Sequence, residues 1–156
     1  PTQPRSSAAS DVYKRQSMDA KEILNPQRLM IAVGVLVIVL SFWGIMNGDK
    51  WAEYGWGKEN VLAHDEDYEK MWALHMMPLG VMAIGTGIFV KGRALAQMSM
   101  LAPSVIVIIA VGMGILTGES GYSSETPPLN VMALPLLTIA LTLALGVAGY
   151  LHRDDE

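Results

Sequence analysis

The stretch Ile31-Ala-Val-Gly-Val-Leu-Val-Ile-Val-Leu40 decides the fold, because ten consecutive residues in it are apolar. A helix with this sequence is apolar on every face, which suits hydrocarbon and not the boundary between water and a protein core. A membrane-spanning strand would instead alternate apolar and polar residues. In the whole chain 51% of residues are apolar and the mean hydropathy is positive, which is high for a soluble domain. The sequence therefore predicts membrane-spanning helices.

Four apolar blocks contain no Asp, Glu, Lys or Arg, and each is close to the ~20 residues that cross the hydrocarbon core. We therefore predict an all-α, integral membrane four-helix bundle over residues 29–151. The predicted spans are residues 29–46, 71–90, 94–117 and 129–151. Residues 47–70 and 118–128 would be loops on the outer side, and residues 18–28 and 152–156 a lead and a tail on the inner side.

Residues 1–17 share no pattern with the rest of the chain, and Ser6 to Gln16 resembles translated adapter sequence from environmental assemblies. We expect a native start at Met18 and leave residues 1–17 out of the fold. The alternative for the first apolar block is a cleaved signal peptide. An uncleaved helix is favoured, because 18 residues exceed the usual apolar region of a signal peptide.

Basic residues predict the orientation, since short cytoplasmic segments are enriched in Lys and Arg. The lead, the second turn and the tail carry five of them: Lys21, Arg28, Lys91, Arg93 and Arg153. The opposite loops carry three: Lys50, Lys58 and Lys70. Both ends are therefore expected in the cytoplasm of a bacterial inner membrane, with the inverted orientation as the alternative. Aromatic residues then gather near the outer boundary: Trp43, Trp51, Trp56, Trp72 and Tyr122.

Two short patterns recur in the two halves of the chain. The first and third spans end in Gly44-Ile-Met-Asn-Gly-Asp49 and Gly114-Ile-Leu-Thr-Gly-Glu119, and the second and fourth carry Met77-Pro-Leu79 and Leu134-Pro-Leu136. The patterns predict two parallel helical hairpins related by an axis along the membrane normal. Coincidence among common membrane residues is the alternative.

Small residues spaced about four apart predict close helix packing within lipid. They are Gly44 and Gly48 at the end of the first span, Ala110, Gly114 and Gly118 at the end of the third, and Ala140, Ala144 and Ala148 in the fourth. We expect contacts within the chain, and the alternative is a homodimer or a contact with a membrane-complex partner. Pro103 is expected to kink the third span.

Two histidines are candidate ligand or proton-relay groups. His75 lies one turn inside the second span and His64 lies in the outer loop, so a haem site on the outer side is an alternative to the expected absence of a cofactor. The alternative is a histidine bonded to a backbone carbonyl or to water.

An acidic segment precedes the second span and contains Asp65, Glu66, Asp67 and Glu69. Carboxylates bind divalent cations, so the segment is a candidate cation site, although it lacks the spacing of an EF-hand loop. A solvated acidic surface is the favoured interpretation.

Several classes of function are excluded or disfavoured. The chain has no cysteine, which excludes thiolate metal sites and cysteine nucleophiles, and its net charge of −4 offers no basic surface for nucleic acid. No nucleophile-elbow, phosphate-binding or zinc-hydrolase motif occurs. We therefore expect a non-enzymatic protein and no resident cofactor.

The layout from Arg28 to Arg153 resembles the small DoxX-like bacterial four-helix membrane proteins. The resemblance rests on the Gly44-Ile-Met-Asn-Gly48 segment, the long outer loop and the tight Lys91-Gly-Arg93 turn. The acidic outer loop and the lack of cysteine depart from that family. The resemblance implies a membrane protein of unassigned activity, in some members linked to redox complexes. Our expectation is an accessory subunit or small-molecule-binding bundle; the alternatives are a haem- or quinone-binding redox subunit and a small carrier or channel.

Overall fold

A computed structural model describes residues 20–123 and 125–155 of the chain. The predictions for residues 1–17 and for a start at Met18 lie outside the described residues. The described part contains the helices α1 (Pro26–Met46), α2 (Gly48–Trp56), α3 (Asp65–Phe89), α4 (Gly92–Thr117) and α5 (Leu129–Leu151).

Four of these helices, α1, α3, α4 and α5, are long and apolar enough to cross a membrane. The chain is therefore an all-α multi-pass membrane protein, and the predicted fold class is confirmed. In the part of the chain that the structure describes there is no strand.

The region between the first two spans differs from the predicted loop 47–70. It contains α2, and α3 begins at Asp65, six residues before the apolar block that predicted the span. A count of apolar residues misses this start because three acidic residues occupy the first turn of α3, where negative charge stabilises the helix dipole. The carboxylate of Asp65 also accepts a hydrogen bond of 2.7 Å from the backbone N–H of Leu62.

Both described ends of the chain lie at the same side of the bundle. The Nζ of Lys21 is 2.8 Å from the Asp155 carboxylate, and the ring of His152 lies 3.1 Å from the Lys21 carbonyl oxygen. We call this the terminal side. The opposite side, which carries residues 47–64, 118–123 and 125–128, is called the loop side.

Helices α1 and α3 pack closely through glycine. A Cβ atom added to Gly34 would lie 2.7 Å from the backbone oxygen of Gly80, and one added to Gly80 would lie 2.7 Å from the oxygen of Gly34. Nearer the loop side, a Cβ on Gly44 would lie 2.7 Å from the Cβ of Ala73. Close backbone approach of this kind is how helices associate where lipid removes the hydrophobic driving force.

Helices α4 and α5 form the second close pair. A Cβ on Gly149 would lie 2.5 Å from the backbone oxygen of Ala96, and one on Gly146 would lie 2.5 Å from the ring of Pro103. The two pairs meet where α5 packs on α1, and the buried core there consists of Met30, Val33, Leu95 and Leu145.

The packing predicted for the small residues of α4 is wrong for contacts within the chain. Ala110, Gly114 and Gly118 are exposed, and nothing lies within 4 Å of a Cβ added to Gly114. Spacing identifies a stripe of small residues but not the direction in which it points. In this helix the packed face consists instead of Leu95, Ala96 and Ser99.

The stripe predicted on α5 is buried only at its terminal-side end. Ala148 is buried, Ala144 is half-buried and Ala140 is exposed. The buried face of this helix is turned slightly from the stripe, and its residues are Thr138, Thr142, Leu145, Ala148 and Gly149. Gly48, the remaining small residue of the prediction, lies against the side chain of Lys70.

Helices α3 and α4 barely touch, although only two residues separate them in the chain. The bundle is therefore closed between α1 and α3, between α4 and α5, and between α1 and α5, but not between α3 and α4. We call this gap the seam. The pairing of α1 with α3 and of α4 with α5 matches the two predicted hairpins, whereas the sequence repeat and the Pro103 kink stay predictions.

Candidate functional site

A cavity of about 550 Å³ lies between the four spans along the seam. One wall consists of residues of α3, which are Ala73, Met76, Leu79 and Ala83. The other consists of residues of α4, which are Ala102, Val105, Ile106, Ile109 and Ala110. The edges of the seam are the side chains of Leu79 and Val105, which are 44% and 39% exposed. The wall of the cavity therefore reaches the surface of the bundle at these two residues.

The cavity is apolar over most of its length. It reaches the core residues Met30, Val33 and Leu145 toward the terminal side. Its wall also contains the hydroxyl groups of Ser41, Thr138 and Thr142, but each donates to a backbone carbonyl in its own helix, at 2.7–2.9 Å. A ligand in this part of the cavity would contact apolar side chains, because the three hydroxyl groups already donate their hydrogen bonds to the helix backbone.

Polar and aromatic side chains close the loop-side end of the cavity. They are Trp51 of α2, Glu69 and Trp72 of α3, and Tyr122 of the loop 118–128. We call these four residues the roof. The site is thus an apolar chamber with one polar end, which is the usual construction of a small-molecule site.

Tyr122 is held in the roof from two directions. Its hydroxyl donates a hydrogen bond of 2.6 Å to the Glu69 carboxylate, and its ring packs edge-on against Trp56 with the centroids 5.2 Å apart. Glycine is required at position 55, because a Cβ there would lie 2.5 Å from the Tyr122 ring. Burial, then the hydrogen bond to Glu69, raises the pKa of Tyr122 well above its usual range, so this hydroxyl stays protonated at physiological pH.

Helix α2 places the second aromatic ring of the roof. Trp51 packs edge-on against both Trp43 and Tyr54, with centroids 6.2 Å and 6.0 Å apart. The backbone N–H of Glu125 donates to the Tyr54 carbonyl at 3.2 Å, which joins the loop 118–128 to α2. The aromatic residues predicted at the outer boundary thus form contacts around the roof.

Glu69 is the one roof residue with a formal charge. Its side chain is half-buried, and among residues 20–123 and 125–155 it has no ion-pair partner. The neighbouring ammonium group of Lys70 pairs with Glu66 instead. Within the described part of the chain, the one hydrogen bond on the Glu69 carboxylate is the one from Tyr122.

The structure does not gather the four carboxylates of the predicted cation site. Asp65 caps the turn before α3, Glu66 pairs with Lys70, Asp67 is exposed and Glu69 faces the cavity. Consecutive positions of a helix point in different directions, which separates these side chains. No cluster of three or more metal-ligating side chains occurs within the described ranges.

The two candidate histidines cannot both bind one haem iron. His64 directly precedes α3 and His75 lies eleven positions further along the same helix, which is ~16 Å of helix rise. In this structure the two histidines therefore do not form the paired haem site that was the alternative. His75 is exposed outside the cavity with Nδ1 2.6 Å from the Met71 carbonyl oxygen, and His64 packs on the Tyr68 ring.

Sequence reasoning identified the roof residues separately but not their convergence. Glu69 appeared as a cation ligand, and the aromatic rings appeared as a membrane-boundary belt. A signal for the cavity does exist in α3, because Glu69, Trp72, Ala73 and Met76 share one helical face by their spacing of three and four. That spacing is also the pattern of ordinary core packing.

No family model, curated protein or solved structure matches this chain. Its fold and cavity define it as a multi-pass membrane protein with an apolar cavity between its spans.

Proposed function

We propose that this protein binds an apolar small molecule that it takes up from the lipid bilayer. The observation that carries the proposal is the cavity of about 550 Å³ along the seam. Small-molecule sites typically enclose 300–1,000 Å³ and are lined mainly by apolar side chains with a few polar groups. A ligand dissolved in the bilayer would reach this cavity between α3 and α4 without crossing water.

The polar groups at the cavity support binding over catalysis. The hydroxyls of Ser41, Thr138 and Thr142 are bonded to helix backbone, and no histidine lines the cavity. A serine or threonine nucleophile needs an adjacent base that takes its proton, whereas these three hydroxyls donate to backbone carbonyls. The Tyr122 hydroxyl, which donates to Glu69, has a raised pKa and stays protonated. We therefore propose a non-enzymatic, small-molecule-binding bundle.

The remaining parts of the proposal rest on the sequence. They are a bacterial inner-membrane location, cytoplasmic ends, a relationship to DoxX-like proteins and a role as an accessory subunit. The exposed residues Gly114 and Gly118, which do not line the cavity, belong to the surface that we expect a homodimer or a larger membrane complex to use.

Filling the cavity tests the proposed function. Ala102 lines the cavity, whereas Ala140 is exposed on α5 outside it. We expect tritiated undecanol to bind saturably to the protein in nanodiscs, above its partition into empty nanodiscs. Ala102→Phe should weaken this binding by about tenfold, because the new ring occupies the chamber, and Ala140→Phe should leave it unchanged.

The outcome against the proposal is binding that does not saturate, or equal binding by both variants. Ala83→Phe fills the same chamber from α3 and replaces Ala102→Phe if that variant does not fold. Helical content and elution volume in detergent report whether each variant is folded.

A further inference from the structure

The roof of the cavity contains a carboxylate without a positive partner. Glu69 is half-buried and is flanked in the cavity wall by Trp72 and Ala73, with Tyr122 across from it. A charged group at an apolar site is costly unless it is paired, and such groups near the bilayer usually serve a function. One hydrogen bond from a neutral phenol leaves the charge of this carboxylate unbalanced.

The basic residues of the loop side do not supply the missing charge. Lys70 forms an ion pair with Glu66. Lys50 and Lys58 are exposed, and neither makes an ion pair within the described part of the chain. The Glu69 carboxylate is therefore available to pair with a positively charged ligand.

Three aromatic rings line the same end of the cavity. Trp51, Trp72 and Tyr122 belong to three separate segments of the chain, yet all three border the cavity next to Glu69. The faces of indole and phenol rings attract cations, and the attraction grows when the cation is removed from water. A carboxylate with several rings is a favourable environment for an ammonium or quaternary ammonium group.

Anionic head groups fit this end of the cavity poorly. Besides Glu69, the loop side carries several further carboxylates, among them Asp49, Glu53, Glu66 and Asp67. These charges repel an anion as it approaches, and Glu69 would repel it in the cavity. A neutral head group gains at most hydrogen bonds to Glu69.

We infer that the ligand of this cavity is a lipophilic cation, with its positive head at Glu69 among Trp51, Trp72 and Tyr122 and its apolar part in the chamber below. The inference rests on the proposed function and names its ligand class. The head group lies at the membrane boundary and the apolar part lies at the depth of the hydrocarbon, so the ligand keeps the orientation that it has in the bilayer.

The test compares three probes that share one undecyl chain: undecyltrimethylammonium, undecanol and undecyl sulfate. Their binding is measured in nanodiscs of zwitterionic lipid, with partition into empty nanodiscs subtracted. We expect the cation to bind about tenfold or more tightly than undecanol, and the sulfate to bind less tightly than undecanol. Equal affinity for the cation and undecanol, or a preference for the sulfate, would overturn the inference.

Substitution of Glu69 tests whether its charge causes the preference for the cation over undecanol. Glu69→Gln should weaken the binding of undecyltrimethylammonium about tenfold and that of undecanol much less. Asp67→Asn is the matched control, because it removes a loop-side charge on the same helix that does not line the cavity. A cation preference that persists in Glu69→Gln, or that falls equally in Asp67→Asn, would contradict the assignment.

The outcomes separate this inference from the proposed function. If undecanol does not bind saturably to the wild type, the proposed function fails. If undecanol binds and the cation binds no more tightly, only the ligand class fails. If Glu69→Gln does not fold, Trp72→Leu provides the second test, because it removes a ring from the roof. It should weaken the binding of undecyltrimethylammonium several-fold more than the binding of undecanol.

Discussion

The hydrogen bond between Glu69 and Tyr122 joins two residues that are 53 positions apart in the sequence. It links α3 to the loop 118–128 directly above the cavity, and the space at Gly55 admits the phenol ring. The same two side chains therefore close one end of the chamber and provide its polar groups. At the residue scale, the fold of the loop side and the proposed binding site therefore depend on the same contacts.

A second pair of residues holds the terminal side and makes stability dependent on pH. Hydrogen bonds from Lys21 and then from His152 hold the pKa of Asp155 below its ordinary value. The stabilisation by this carboxylate is full above the unfolded-state pKa of about 3.9 and is lost as pH falls through the lower folded-state pKa. We expect Asp155→Asn to lower the free energy of unfolding at pH 7 by up to about 1 kcal/mol, because the pair is partly exposed.

Unfolding in mixed micelles from pH 7 to pH 3 measures this effect. The difference between wild type and Asp155→Asn should decline below about pH 4. Asp154→Asn is the control, because Asp154 is largely exposed and, within the described residues, its one ion pair is with its neighbour Arg153. An Asp155→Asn difference that grows as the pH falls would contradict the assignment.

At the scale of elements, α3 has two faces with different roles: one packs against α1 and the other lines the cavity. Its small residues Ala73, Gly80 and Gly87 recur every seven positions and are buried against α1. The face that begins with Glu69 and Trp72 borders the cavity. Because the first face fixes α3 tightly to α1, the second remains free of α4 and the seam stays open.

The glycine contact between α1 and α3 predicts a strong and local effect on stability. In Gly80→Ala the new Cβ would lie 2.7 Å from the Gly34 oxygen, and backbone atoms on both sides cannot turn away as a side chain would. We expect a loss of about 1–3 kcal/mol in the free energy of unfolding, as for other overpacked cores. Denaturation by sodium dodecyl sulfate in mixed micelles gives this quantity.

Gly112→Ala is the matched control for this substitution, since nothing lies within 4 Å of a Cβ at that position of α4. Both changes gain the same helix propensity, so the difference between them isolates the contact. Equal unfolding free energies for the two variants would show that α1 and α3 do not pack as closely as described.

At the scale of the whole molecule, the sequence allows the four spans and their pairing into hairpins to be predicted, because apolar runs and short turns are local signals. The start of α3 at Asp65 and the presence of α2 cannot be predicted in this way, because both segments contain charged residues and so do not belong to an apolar run. The cavity cannot be predicted for another reason: it depends on α3 and α4 staying apart, although a short turn joins them. The roof depends on the hydrogen bond between Glu69 and Tyr122 and on Trp51, which lines the same cavity from α2. No spacing in the sequence relates these three residues.

The seam itself can be tested by closing it. The sequence has no cysteine, so a Leu79→Cys, Val105→Cys variant can be linked across the seam by a short bifunctional reagent without side reactions at other thiols. Both side chains are exposed at the edges of the cavity and are accessible to the reagent. If ligands pass between α3 and α4, linking these positions should slow the association and dissociation of undecanol by about tenfold or more, because the widening of the seam is restrained.

The two single-cysteine variants, treated with the same reagent, control for its bulk at each edge. A reagent that is cleaved by reduction adds a second control, since reduction should restore the original rates. Unchanged rates in the linked protein would show that ligands pass through the roof, and Tyr122→Ala should then accelerate exchange because it removes the residue that closes that end. The two routes differ in which barrier is rate-limiting, so the linked variant and Tyr122→Ala together identify the path between bilayer and chamber.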